Sequence, residues 1–428
     1  MDEKLALLGG KPVLEKPFPP FNSLGSQEKA AVERVMDSGV LSDFLGRAGD
    51  QFLGGSEVRL LESKIEEMFQ VKSAVSFNSA TTALQAAVGA LGIGPGDEVI
   101  TSPYTMSATA SAILLNGAVP VFADIDPDSF CLDPKSVAKN ISPRTKAIMA
   151  VNIFGGGCDY KTLIPLAKEH GLKVIEDNAQ AIGATQDGAH LGTIGDAGVL
   201  SFNYHKTVQC GEGGVLMTND ENIARRAQLI RNHGEVVIDD LREAGDDIDE
   251  PVVGSNYRLS ELHAAIASEQ LKKMEQLNAP RIELAEYLSE KMARFKWLTP
   301  PWKAEGSTHV YYVYAFKFDA AVAGMTRKAF ASAMGAEGFP LSQGYVKPIY
   351  LMPVYKERRM FPRSGFPFEG STVPYVEGIC PVAERMYREE LLLTSICNGG
   401  RTKKDIDLFV SAIAKVESQK ESLKDYEK

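Results

Sequence analysis

The 428-residue chain is 44% hydrophobic and 24% charged, an ordinary balance for a soluble globular protein, and its length exceeds what one hydrophobic core usually serves, so two domains are expected. A formal net charge of −10, with no long block of Lys or Arg, argues against nucleic acid or an anionic membrane as partner. The five cysteines are scattered, with no C-x-x-C pair and no cluster with histidine, so no metal site is expected; the start lacks a signal-like basic segment and no apolar run is long enough to span a bilayer, which makes a cytoplasmic protein the expectation.

Through roughly the first 265 positions, short apolar runs alternate with helical stretches. Ala74–Phe77 reads as a strand that turns through Asn78-Ser79-Ala80-Thr81-Thr82 into an apolar helix over Leu84–Val88. Strands follow at Glu98–Thr101, Val119–Asp124, Ala147–Val151 and Leu172–Ile175, with a helix at Thr109–Leu115. The alternation predicts an α/β fold with a mostly parallel central sheet covered by helices on both faces, and ligands of such sheets gather beyond the carboxyl ends of the strands. One strand runs into Glu176-Asp177; the next, Val199–Phe202, is followed by Lys206 and the flexible run Gly211-Glu212-Gly213-Gly214. A helix over Leu259–Met274 leads out of this region. A strand over His309–Phe316, a helix after Thr326 and a helix over Asp405–Val416 predict a smaller C-terminal α/β domain, residues 339–380 read as irregular, and the charged tail after Val416 reads as frayed. The expected division is an N-terminal arm over 1–30, a large domain over 31–275 and a small domain over 276–428.

Lys206 lies 29 positions after Asp177. Taken singly, a lysine after a strand is usually solvated, Glu-Asp is common at the carboxyl edge of a parallel sheet, and the hydroxyl-rich turn before Leu84 is an ordinary N-cap. In combination they supply what pyridoxal 5′-phosphate requires. There is an amine for a Schiff base, an acid to keep the pyridine nitrogen protonated, and a helix N-terminus whose free N–H groups and positive dipole end seat a phosphate.

Asp177 with Gln180, the Ser201-to-Lys206 spacing, Gly211-Glu212-Gly213-Gly214, and Gly254-Ser255-Asn256-Tyr257-Arg258-Leu259-Ser260-Glu261-Leu262 together resemble the DegT/DnrJ/EryC1/StrS aminotransferases. These are pyridoxal-phosphate enzymes of the aspartate aminotransferase fold (fold type I) that aminate sugars and cyclitols, and the resemblance runs from Leu8 to around Ile406. It implies that Lys206 forms the Schiff base and carries the proton, and that Asp177 pairs with the pyridinium nitrogen. Gln180 is implied to bond the ring hydroxyl, with a loop-start amide bonding backbone as the competing reading. The phosphate set implied is Ala80, Thr81 and Ser201, completed by Asn256 from the other subunit of a homodimer with shared active sites. Met106 stands where the family commonly stacks an aromatic ring, with packing in the core as its alternative. Tyr345 sits in a loop similar to the family's substrate-facing loop, Arg258 is either structural or a partner of the donor carboxylate, and His205 either lines the pocket or packs behind it.

The activity expected is transfer of an amino group from glutamate or glutamine to a keto or aldehyde group of a sugar or sugar acid, in cell-surface polysaccharide or lipopolysaccharide biosynthesis. The loop Gly46–Gly55 and the region Gly338–Tyr350 resemble family branches acting on free sugars, keto-sugar acids or inososes more than those acting on nucleotide-linked sugars, with formation of 8-amino-3,8-dideoxyoctulosonate as one candidate. A cyclitol (inosose) or nucleotide-linked keto sugar is the alternative substrate, and a pyridoxal-phosphate-binding regulatory protein is the alternative of another class. Family members acting as sugar dehydratases carry histidine in place of the Schiff-base lysine, which Lys206 disfavours.

Overall fold

Residues 4–243, 245 and 252–424 are described by a computed structural model. Seven strands form the central sheet in the order Ser73–Phe77, Gly214–Thr218, Ala197–Ser201, Lys173–Asp177, Thr145–Val151, Glu98–Thr101 and Val119–Phe122. Gly214–Thr218 runs antiparallel to both of its neighbours, and the remaining neighbours pair in parallel. Six strands therefore end at one edge, at Phe77, Thr101, Phe122, Val151, Asp177 and Ser201.

Successive strand residues point to opposite faces, and each face has its own cover. Met149, Ile175 and Val199 pack with Leu84 and Ala87 of helix Ala80–Ala90 and with Ile223 and Ala227 of helix Glu221–Arg231. Their neighbours Ile148, Ala150 and Val174 join a separate cluster with Leu163 and Ala167 of helix Tyr160–Glu169, while Leu200, Val215 and Met217 pack with Leu61 and Ile65 of helix Ser56–Phe69. Burial on both sides is why these strands are near-continuous apolar runs.

A second, antiparallel sheet has the order Leu298–Thr299, Tyr314–Phe318, Leu391–Thr394, Ser342–Gln343. Helices Met274–Met292, Arg327–Ala336 and Lys403–Ser418 supply Leu288, Phe330 and Phe409 to its core, which Leu5 also enters.

Three expectations shift. The strand expected over His309–Phe316 begins only at Tyr314: Tyr311 has φ 47°, and its N–H donates to His309 Nδ1 at 3.0 Å, so the preceding residues turn instead of pairing. The helix expected over Leu259–Met274 is Glu261–Leu271, begun by the Ser260 cap on His263 N, and a separate helix starts at Met274. The tail does not fray at Val416, because the last helix reaches Ser418 and a 3-10 turn over Lys420–Leu423 buries Leu423 in the C-terminal core. No helix among the described residues is long and apolar enough to cross a membrane, and no group of three or more His, Cys, Asp or Glu side chains among them could hold a metal ion.

Candidate active site

At the carboxyl edge of the sheet the period of two separates the two acids that end strand Lys173–Asp177. Glu176 accepts from the N–H groups of Gly192, Ile194 and Gly195 at 2.7, 2.6 and 2.7 Å, and so ties down the loop leading to the next strand. Asp177, 5% exposed, accepts from the Thr109 hydroxyl at 2.8 Å and from Ala179 N–H at 3.2 Å. Burial raises its pKa, opposed by those two hydrogen bonds and by the charge of Lys206.

Lys206 lies in the turn between strands Ala197–Ser201 and Gly214–Thr218, held where its N–H donates to Asn203 O at 2.8 Å and Tyr204 N–H donates to Gly211 O at 2.9 Å. Its ammonium sits 4.6 Å from the centre of the Tyr312 ring. Burial pushes the amine down to about 8, with Asp177 opposing the shift, so a far larger share of it is unprotonated near neutrality than for a solvated lysine.

Helix Ala80–Ala90 starts beside them, capped by Ser79 accepting from Thr82 N–H at 3.2 Å. Among the described residues the N–H groups of Ala80 and Thr81 have no acceptor. A Cβ on Gly214 would stand 2.4 Å from Ala80 N, so only glycine lets the helix start approach the sheet this closely.

A cavity of about 410 Å³ unites these groups. Of the residues expected from the sequence, Ala80, Thr81, Ser201, Asp177 and Lys206 line it, as do Met106, Gln180, His205 and Tyr345. Met106 is 57% exposed, at the cavity wall and outside the core. Gln180 Oε1 accepts from Phe154 N–H at 2.9 Å while its Nε2 donates to the Tyr345 hydroxyl at 3.0 Å, so the backbone-bonding role and the cavity-facing role coexist in one amide. Tyr345 is steadied by its N–H donating to the buried Tyr104 hydroxyl at 2.8 Å. His205 is exposed and its ring lies 3.7 Å from that of Tyr204.

Asn256 and Arg258 do not line this cavity. Asn256 Oδ1 accepts from Arg258 Nε at 2.9 Å, and Arg258 Nη1 donates to Asn232 Oδ1 at 3.2 Å. Within one chain, then, Arg258 anchors this loop to Asn232. Thr109 and Tyr312 escaped the sequence reading. Thr109 is 68 residues from Asp177 in the chain, and Tyr312 lies in a run that reads as plain strand, so neither carries a local signal. A larger cavity of about 530 Å³, with Asp126, Asp133 and Trp302 in its wall, holds none of these groups.

The residues present fit pyridoxal phosphate on three separate counts: donors without acceptors among the described residues at a helix start, a buried carboxylate, and a half-buried amine of lowered pKa. Such a sheet with a lysine and an acid at its carboxyl edge defines a fold type I pyridoxal-phosphate-dependent transferase. Residues 25–394 match the DegT/DnrJ/EryC1/StrS aminotransferase family, and the chain belongs to it; it is a pyridoxal-phosphate-dependent aminotransferase. It is similar to GDP-perosamine synthase of Caulobacter vibrioides, 37% identical over 286 residues that cover 67% of this chain and 75% of the relative. It is also similar to L-glutamine:2-deoxy-scyllo-inosose aminotransferase of Streptoalloteichus tenebrarius, 35% identical over 374 residues covering 84% of this chain and 86% of the relative. Among solved structures, the aminotransferase from Psychrobacter cryohalolentis superposes with a TM-score of 0.80 at 30% identity, covering 94% of this chain and 99% of that one.

Proposed function

We propose that the acceptor is a keto or aldehyde group on a sugar or sugar acid, that glutamate or glutamine is the donor, and that the product serves cell-surface polysaccharide or lipopolysaccharide biosynthesis, with 8-amino-3,8-dideoxyoctulosonate as the candidate product. The observation that carries the transfer chemistry is the meeting of the half-buried Lys206 and the buried Asp177 in one cavity beside the N–H groups of Ala80 and Thr81, which have no acceptor among the described residues.

Pyridoxal phosphate supplies an electrophilic carbon and a ring that accepts the electron pair left when a C–H proton departs. Lys206 Nζ, whose lowered pKa leaves a larger share of it unprotonated near neutrality than a solvated lysine has, moves that proton between the substrate carbon and the cofactor. Asp177, oriented by Thr109, holds the proton on the ring nitrogen. Ala80, Thr81 and Ser201 take the phosphate, joined by Asn256 of a second subunit, so the working unit is a homodimer with shared sites. Gln180 and Met106 position the ring, Tyr345 and His205 face the sugar, and Arg258 holds the Asn256 loop. The large domain over 31–275 carries the cofactor, the small domain over 276–428 adds Tyr312 and Tyr345 to the cavity, and the protein works in the cytoplasm.

The names of the two relatives favour a second reading, in which the acceptor is an inosose or a nucleotide-linked keto sugar. A regulatory, non-catalytic role is disfavoured by the intact Lys206. The decisive experiment loads the holoprotein with glutamate or glutamine, removes the donor, offers a panel of keto-sugar acids, inososes and nucleotide-linked keto sugars, and detects the aminated product by mass. Amination confined to inososes or nucleotide-linked sugars replaces the first reading by the second, and a protein that aminates nothing while keeping its cofactor supports the regulatory one.

A further inference from the structure

A second cavity, of about 300 Å³, shares His205 and Lys206 with the first and has Arg281, Ser395, Asn398 and Arg401 in its wall. Among the described residues no aspartate or glutamate lines it. Arg281, on helix Met274–Met292, is 7% exposed. Its Nη1 donates to the carbonyls of Tyr311 at 3.3 Å and Tyr312 at 3.0 Å and to Asn398 Oδ1 at 2.7 Å, while its Nε is buried without an acceptor. Arg401 donates from both terminal nitrogens to the Pro19 carbonyl at 3.2 Å and lies 4.5 Å from the centre of the Phe18 ring. Among the described residues neither guanidinium has a carboxylate partner; every acceptor is neutral.

A cation taken out of water without a counter-charge is destabilising, and folded proteins ordinarily pair it. Elsewhere in this chain that rule is followed, since the fully buried Arg231 meets Glu62 at 2.6 Å. The buried Arg281, joined by the half-exposed Arg401 in a wall that among the described residues carries no acid and also contains the reactive amine, marks the counter-charge as one that arrives with a ligand. The planar donor fork of arginine matches a carboxylate.

We propose that this cavity is a carboxylate subsite, filled by an acidic group of the amino-acid donor or of a sugar acid; the assignment rests on the substrate reading above. The cavity shares Lys206 and His205 with the transfer site, so a carboxylate held there lies beside the amine.

The test uses the full-length holoprotein with Arg401→Gln and Arg281→Lys. Calorimetric titration with glutarate reads the subsite without turnover, and retention of the cofactor's absorbance shows that the transfer site is intact. Arg401→Gln is expected to weaken glutarate at least tenfold, and it carries the test alone if Arg281→Lys fails to fold for want of its bonds to Tyr311 and Tyr312. Absorbance then separates the two sources. If the donor's acid is the ligand, half-saturation by L-glutamate rises at least tenfold while return by a keto-sugar acid is unchanged. If the sugar's acid is the ligand, the keto-sugar acid weakens while L-glutamate and a neutral keto sugar are unaffected. Glutarate that fails to bind the wild type, or binds Arg401→Gln within threefold of it, overturns the subsite. Glutarate binding that is lost in Arg401→Gln while no sugar acid is ever aminated sinks the sugar-acid reading instead and leaves the subsite standing.

Discussion

The lowered pKa of Lys206 leads to a measurement that needs no cofactor. Burial drives the amine from an ordinary lysine value down to about 8, against the opposing pull of Asp177. At pH 7 a group titrating near 8 is roughly 10% neutral, whereas a solvated lysine is neutral in only about 0.04% of molecules, a ratio of a few hundredfold. Acetic anhydride acylates only the neutral amine, so competitive labelling of the apoprotein against free Nα-acetyl-lysine, followed by peptide mapping, reads that fraction directly. Labelling of Lys206 is expected to rise with pH through a midpoint near 8. Asp177→Asn removes the charge that favours the ammonium, so its midpoint moves to lower pH. A wild-type midpoint at an ordinary lysine value, or an upward shift in Asp177→Asn, would refute the claim that desolvation governs this amine.

Thr109→Val keeps the shape of the side chain but takes a donor at 2.8 Å from the buried Asp177. A loss of about 1–3 kcal/mol in the ionised form follows, so kcat falls on the order of tenfold and the acid limb of its pH profile moves up, whereas an unchanged profile denies Thr109 an orienting role. Glu62→Ala leaves the Arg231 guanidinium, 0% exposed, without its 2.6 Å partner and strips Ser76 of its acceptor. Denaturant unfolding should register a loss of about 3–5 kcal/mol, and a loss below about 1 kcal/mol contradicts the pairing argument. Gly214→Ala drives a methyl to 2.4 Å from Ala80 N, so melting experiments should show about 1–3 kcal/mol of lost stability together with faster cofactor loss on dialysis. Retained cofactor at reduced stability would mean that the helix start can move without losing its phosphate seat.

Local patterning made part of the molecule legible. The apolar runs that end in Asp177 and Ser201, and the hydroxyl-rich turn into helix Ala80–Ala90, report burial and capping through residues adjacent in the chain. The same patterning misjudged the run from His309, since a periodicity of apolar side chains is blind to the positive φ at Tyr311 that turns the chain before Tyr314. It also read the tail as frayed, because the burial of Leu423 comes from a core assembled from distant segments.

By itself, then, the order of amino acids determined the alternation of strand and helix and the resemblance to the family, and it singled out Lys206 and Asp177 as candidates. Only the folded chain decided which of Glu176 and Asp177 faces the cavity, that Thr109 orients that acid, that Arg258 turns to Asn232, and that Arg281 meets no carboxylate among the described residues. The physical reason is range. Strand and helix periods and caps act over a few residues, while desolvation, ion pairing and hydrogen-bond partners depend on groups brought together from positions tens or hundreds of residues apart.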